Sequence, residues 1–267
     1  MSRRIRDAFS RAAKKRRAAF IPYVTAGDPT PKRTVAVVRA LERAGADLIE
    51  LGVPFTDPIA DGPVIQRASE RALASGTTLA GVLQIVRELR FASEIPVVLF
   101  SYFNPVHAYG LPRFAVDAAA AGVDGVLLTD VPVEEVEHPW EALRRVEVEL
   151  IPLLAPTSTR KRIRATKQVA GSFVYFVSHL GVTGSRDRLE VDLEAQVRLV
   201  RKVTGRRVAV GFGISTPEQV NRVARFADGV VVGSAIVERI GEIGDTPQLA
   251  DEIGAFIGPF AQATRRR

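Results

Sequence analysis

Eight short runs of β-branched and aliphatic residues recur along this 267-residue chain: Phe20–Thr25, Leu48–Val53, Val97–Tyr102, Gly125–Thr129, Leu150–Ala155, Phe173–Ser178, Val208–Gly213 and Gly229–Gly233. They are apolar throughout and do not alternate, which is the pattern of parallel strands covered on both faces. Amphipathic helical patterns lie between them. Thr30-Pro31 precedes Val35, Val38 and Leu41, and Thr77-Thr78 precedes Leu79, Val82, Leu83 and Val86. Ser215-Thr216-Pro217-Glu218 joins a cap residue, an early proline and an acid in the first turn. Glu134-Glu135 place negative charge where a helix dipole favours it. Gly45-Ala46-Asp47, Gly122-Val123-Asp124 and Phe226-Ala227-Asp228 each precede a strand, so one helix-to-strand turn is used repeatedly. This alternation, with no linker or low-complexity run, predicts a single (β/α)8 TIM barrel over 1–267, with an extra N-terminal helix and a short helix, Ala235 to Ile240, after the eighth strand. A doubly wound open sheet would carry G-x-G-x-x-G after the first strand, and Val24-Thr25-Ala26-Gly27-Asp28 does not.

The net charge of +7 is not spread over the chain. Residues 1–17 carry eight basic groups against Asp7, and 265–267 are three arginines, so the body between these tails is slightly acidic. A nucleic-acid or membrane reading would rest on the tails alone, and neither partner is expected. Ile5, Ala8, Phe9, Ala12 and Ala13 form one apolar stripe on the first tail, the pattern of a helix packed on the domain with its charges solvated. With no cysteine there are no thiolate sites, and His107, His138 and His179 are too far apart for a metal-ligand spacing. No run approaches membrane-spanning length and the N-terminus lacks an apolar signal core, so a cytoplasmic location is expected.

Chemistry in such a barrel sits at the C-terminal ends of the strands. Glu50 is a lone carboxylate in an apolar strand, sharing a face with Leu48 and opposite Ile49 and Leu51. Apolar surroundings would raise its pKa and suit it to proton transfer, whereas a structural role would need a buried base that the nearby sequence does not supply. The loop that follows is stiffened by Pro54, Pro58 and Pro63 and carries Asp57 and Asp61. Asp61-Gly62 alone reads equally as a turn pair. Gly211-Phe212-Gly213 and Gly233-Ser234 end adjacent strands and fit a phosphate cradle at a helix start. The long loop from Ser178 to Arg186 has the character of a lid, and His179 within it reads as either a base or a solvated residue. Tyr102, Tyr175 and Phe212 are aromatic walls or core.

Glu50-Leu51-Gly52-Val53-Pro54-Phe55-Thr56-Asp57-Pro58 and Ala60-Asp61-Gly62-Pro63-Val64-Ile65-Gln66 resemble the signature of the tryptophan synthase alpha chain family. So do Phe20-Ile21-Pro22-Tyr23, Gly27-Asp28-Pro29, Ala155-Pro156-Thr157, Gly181-Val182-Thr183-Gly184 and Gly211-Phe212-Gly213-Ile214-Ser215. The resemblance implies a cytoplasmic barrel lyase that cleaves indole-3-glycerol phosphate to indole and glyceraldehyde 3-phosphate. It implies no metal or cofactor of its own, and an α2β2 complex in which indole passes to a pyridoxal-phosphate-dependent β chain. It makes Glu50 the general acid/base and Asp61 the second catalytic carboxylate. It puts Gly184, Gly213, Gly233 and Ser234 at the phosphate, Tyr175 and Phe212 at the indole pocket, and Thr183 where the lid meets the catalytic loop, and Tyr102, as a candidate aromatic wall, is counted with these substrate-binding residues. Phe55, Thr56 and Asp57 are left to meet the β chain. The alternatives are a stand-alone indole-producing lyase, a weakly active subunit that mainly activates its β partner, and another phosphosugar-binding barrel enzyme. The last has no need of the 50–66 motif.

Overall fold

The computed structural model describes residues 2–178 and 186–266. Its strands are β1 (Ala19–Thr25), β2 (Ile49–Gly52), β3 (Val97–Ser101), β4 (Gly125–Leu128), β5 (Glu149–Leu150), β6 (Leu153–Leu154), β7 (Phe173–Val177), β8 (Arg207–Gly211) and β9 (Gly229–Val232). They pair in parallel in the order β5-β4-β3-β2-β1-β9-β8-β7-β6. Both ends of that order come from one stretch of chain, so the sheet closes on itself as a barrel. The fifth apolar run is therefore a broken strand, and the break falls at Ile151-Pro152. Proline has no N–H to give to a ladder. Ile151 donates back to the Val126 carbonyl at 2.8 Å, while the Pro152 carbonyl accepts from Tyr175 on the other side at 3.0 Å. The other seven runs coincide with strands to within two residues at either end.

The helices are α1 (Arg3–Lys14), α2 (Pro31–Arg43), α3 (Pro63–Ala74), α4 (Leu79–Arg90), α5 (Phe103–Tyr109), α6 (Leu111–Ala121), α7 (Glu137–Arg145), α8 (Arg160–Val169), α9 (Arg186–Thr204), α10 (Pro217–Ala224), α11 (Ser234–Ile243) and α12 (Leu249–Ala263). Thr78 caps α4 by accepting the Gly81 N–H, and Thr216 with Gln219 forms a reciprocal capping box on α10. Thr30 precedes α2 without capping it, leaving Pro31 at the first turn as the start signal. Glu134 and Glu135 do not open a helix. They fall in a turn before α7, and Glu134 pairs with Arg162 of α8 at 2.9 Å.

Strand alternation sorts the apolar residues into two layers. Ile21, Leu48, Val98, Leu127, Phe173 and Ala209 fill the inside of the barrel. Ile49, Leu51, Val97, Leu99, Val126 and Val210 face the helices. The apolar stripe of α1 joins the inner layer. Phe9 lies 5.2 Å, ring to ring, from Phe173 at the start of β7 and touches the position of a side chain at Gly229, the start of β9. Thus α1 closes the N-terminal end of the barrel, with Ala13 left exposed on its outer side. Its charges are partly engaged, since Arg4 reaches Glu94 and Asp124.

The repeated turn before a strand is a three-fold clamp at that same end. Asp47, Asp124 and Asp228 each donate a backbone N–H to the carbonyl of the first residues of a neighbouring strand, at Phe20, Val97 and Val208. The carboxylate of each then accepts the N–H of that same residue, at 2.8, 3.0 and 2.9 Å. An arginine covers each carboxylate: Arg17 on Asp47, Arg90 on Asp124 and Arg201 on Asp228. Asp124 and Arg90 are both largely buried, so removing one leaves the other uncompensated. Asp124→Ala is expected to cost about 3–5 kcal/mol in denaturant unfolding. A loss under about 1 kcal/mol would show that this clamp does not hold the barrel base.

Candidate active site

At the other end, the inward positions of β1, β2, β3 and β7 carry Tyr23, Glu50, Phe100 and Tyr175, all buried. They surround a cavity of about 260 Å³. Register places Tyr23 of β1 and Val98 of β3 beside Glu50. Phe100 sits edge-on between the two tyrosines, 5.4 Å from Tyr23 and 6.3 Å from Tyr175. Two glycines make room for these rings. A Cβ on Gly52 would lie 2.1 Å from the Tyr23 hydroxyl, and one on Gly211 would lie 1.9 Å from the Tyr175 hydroxyl. Gly211 therefore serves the neighbouring tyrosine, and the sequence reading of it as part of a ligand cradle moves to Gly213.

Glu50 is 1% exposed, and among the described residues neither of its oxygens has a hydrogen-bond partner. Burial raises its pKa well above the ordinary carboxylate range. Asp61, in the loop between β2 and α3, also lines the cavity. Burial pushes its carboxyl up to about 6, against a hydrogen bond from Tyr102 that holds it down. The Tyr102 hydroxyl also accepts the Ala60 N–H at 2.9 Å, and its ring lies 5.3 Å from Phe55. The loop is tied further by Asp61 N–H to Pro58 O and by Gln66 to Asp61 O, at 3.0 and 2.9 Å. Tyr102 thus backs the second carboxylate and stands outside the cavity wall.

Across the cavity lie Phe212, Gly213, Gly233 and Ser234. Phe212 and Gly213 both have left-handed φ values, 81° and 72°. Gly233 leads into α11, where no side chain caps the helix and the Ile236 and Val237 amides both turn back to the Gly233 carbonyl. Among the described residues the first amides of α11, at Ser234 and Ala235, make no backbone hydrogen bond, as is usual for the first turn of a helix. Two carboxyls of raised pKa, aromatic rings and the start of α11 thus line one cavity.

The sequence matches the family described as tryptophan synthase alpha chain over residues 9–265. The chain belongs to this family. The alpha chain of Solibacter usitatus is 51% identical over 253 residues, covering 95% of each chain. That of Citrifermentans bemidjiense is 50% identical over 259 residues, 97% of each. Tryptophan synthase subunit alpha from Legionella pneumophila superposes with a TM-score of 0.90 at 38% identity, covering 99% of each chain. Tryptophan synthase from M. tuberculosis, in the open form with BRD0059 bound, gives 0.89 at 34% identity over the whole of each chain. The reaction is the family's carbon–carbon lyase step in tryptophan biosynthesis, cleavage of indole-3-glycerol phosphate to indole and glyceraldehyde 3-phosphate.

Of the residues singled out in the sequence, Glu50, Asp61, Tyr175, Phe212, Gly213, Gly233 and Ser234 meet at this one cavity. Thr183, Gly184 and His179 lie outside the described residues. His107 and His138 are on α5 and α7, away from the cavity lining, and the described residues contain no cluster of three metal-ligating side chains. Tyr23, Phe100 and Ile65 line the cavity without having been singled out. The signal for the first two was a barrel strand's inward alternation with Glu50, once strand register is known.

The raised pKa of Glu50 fixes the sign of a stability effect. In the unfolded chain the carboxyl loses its proton near its ordinary 4.5, while the folded protein keeps it to higher pH. Folding stability therefore falls as pH rises from about 4.5 towards the raised value. Glu50→Gln cannot ionise, so its stability relative to the parent is expected to climb over that range in denaturant melts taken at several pH values. A difference independent of pH would place a partnered, ordinary carboxylate at this position.

Proposed function

We propose that Glu50 and Asp61 divide the cleavage between them within this one barrel domain. The observation that carries the reading is the orphaned carboxyl of Glu50, buried beside a second carboxyl in the same cavity. Neutral Glu50 delivers its proton to indole C3, and the ring becomes a cation able to accept the electrons of the breaking bond. The Glu50 carboxylate left behind then takes the proton of the side-chain hydroxyl next to that bond. The C–O bond closes to the aldehyde, the C–C pair returns to the ring, and Glu50 is again protonated. A group serving as acid and then as base needs a pKa raised towards neutrality, which burial supplies.

Asp61, ionised above about 6, accepts the indole N–H and stabilises the positive charge that grows on the ring. Tyr175 and Phe212 hold the ring, and the amides around Gly213, Gly233 and Ser234 take the phosphate. Thr183 and Gly184 keep the lid and phosphate roles that the family resemblance gives them. Tyr102 acts on the ring's side of the site through Asp61, a supporting role in place of direct contact.

The loop's outer side is proposed to meet a tryptophan synthase β chain in an α2β2 assembly that receives the indole. Thr56 and Asp57 are exposed there and bonded to each other, and Ile59 is 88% exposed. An exposed large apolar side chain on a proline-stiffened loop suits a protein interface. A cytoplasmic setting fits the biosynthetic role, and no described helix is long and apolar enough to cross a membrane.

Glu50→Gln should reduce turnover of indole-3-glycerol phosphate by about 10²–10⁴-fold with substrate binding largely kept, measured as indole release and by calorimetric titration. Binding lost together with turnover would remove the proton-transfer role. Because Asp61 must be ionised, kcat/KM should fall as pH drops through about 6. Tyr102→Phe removes the hydrogen bond that holds this pKa down, so the acid limb should move to higher pH. An unmoved limb would detach it from Asp61.

A further inference from the structure

Phe212 is a bulky residue held at a φ of 81°, where an L side chain is strained, and it sits between Gly211, which ends β8, and Gly213. Strain of this kind persists only where neighbours impose it. The neighbour here is Ser178, the residue after β7, which is 2% exposed. Register pairs Val177 with Gly211, so Ser178 arrives opposite the turn. Its backbone N–H donates to the Gly211 carbonyl at 2.8 Å. Its hydroxyl lies 2.9 Å from that same carbonyl and 2.8 Å from the carbonyl of Phe212.

A hydroxyl has one proton to give. The Gly211 oxygen already has the Ser178 amide, so the Phe212 oxygen is the acceptor that depends on the side chain. A trans peptide holds C=O and the next N–H in one plane, pointing in opposite directions. Fixing the Phe212 carbonyl towards Ser178 therefore fixes the Gly213 N–H to point away from it. Gly213 lines the cavity and Ser178 does not.

We propose that Ser178 is a positioning residue for the phosphate end of the substrate: its buried hydroxyl, bonded to the Phe212 carbonyl, holds the strained turn that aims the Gly213 amide. This rests on the reading of Gly213, Gly233 and Ser234 as the phosphate cradle. The two carboxyls stand on β2 and the loop after it, and Ser178 bonds to neither, so its removal acts on binding and leaves the chemical step alone.

The test uses the full chain, with glycerol 3-phosphate as an unreactive phosphate monoester and indole-3-glycerol phosphate as substrate. Ser178→Ala should weaken glycerol 3-phosphate binding in calorimetry about tenfold and raise KM to the same extent, with kcat within about twofold. Ser178→Cys, which keeps the volume but donates a proton weakly, should behave in the same direction, and circular dichroism should match the parent for both. Parent binding of glycerol 3-phosphate with unchanged affinity in folded Ser178→Ala and Ser178→Cys overturns the positioning role and leaves the cradle intact. Parent chain that does not bind glycerol 3-phosphate overturns the cradle and the inference with it. A fall in kcat with KM unchanged also overturns the inference, because it places Ser178 with the proton-transfer groups.

Discussion

A carboxyl group buried with both oxygens unpartnered is a local penalty that the rest of a fold must hold in place. Glu50 is that group here. Left to itself, the surrounding structure would relax to admit water or a base. Three features oppose this. Glu50 is part of a ladder paired on both sides, the aromatic belt of Tyr23, Phe100 and Tyr175 packs together along the cavity wall, and the loop carrying Asp61 is tied to its own backbone and to Tyr102. Each restraint costs little because it uses groups that the barrel already presents inward.

The barrel also separates stability from chemistry along its axis. At the N-terminal end, α1 fills the opening with Ile5, Phe9 and Ala12, and the three aspartate clamps lock neighbouring strands by backbone and side-chain bonds together. At the C-terminal end the strands stop at glycines or enter loops, with two carboxyls of raised pKa. The three aspartates at the base are paired with arginines, while at the mouth neither oxygen of Glu50 has a partner among the described residues. That contrast supports the proposal that the mouth is the reactive end.

Much of this was legible in the sequence, for physical reasons that differ by residue. Strands covered on both faces must be apolar throughout, so the eight runs could be read directly, and Glu50 stood out against one of them. The glycines proposed for the phosphate were legible as a pair on adjacent strands, but Gly211, which does not line the cavity, was not separable from Gly213, which does. The difference between them is a tyrosine on the neighbouring strand, and only register brings Tyr175 over Gly211. Tyr23 and Phe100 were hidden for the same cause, since an inward aromatic residue at the cavity and one in the packed interior have the same local sequence. The break at Ile151-Pro152 had a visible proline, yet its effect, one run serving two neighbours, is a property of closure. The recurring aspartates were seen as a turn, whereas their bonds to Phe20, Val97 and Val208 link positions 20 to 27 residues apart. Glu134-Glu135 misled because two acids suit a helix start as well as a surface ion pair.

The central claim is that Glu50 is held as a neutral acid in the resting protein. Infrared difference spectroscopy between the parent chain and Glu50→Gln at neutral pH, with carboxyl-selective isotope labelling of glutamate, tests it without turnover or ligand. The account predicts a protonated-carboxyl stretch in the parent that is missing from the variant. A parent spectrum whose lost intensity lies only in the carboxylate stretches would contradict it.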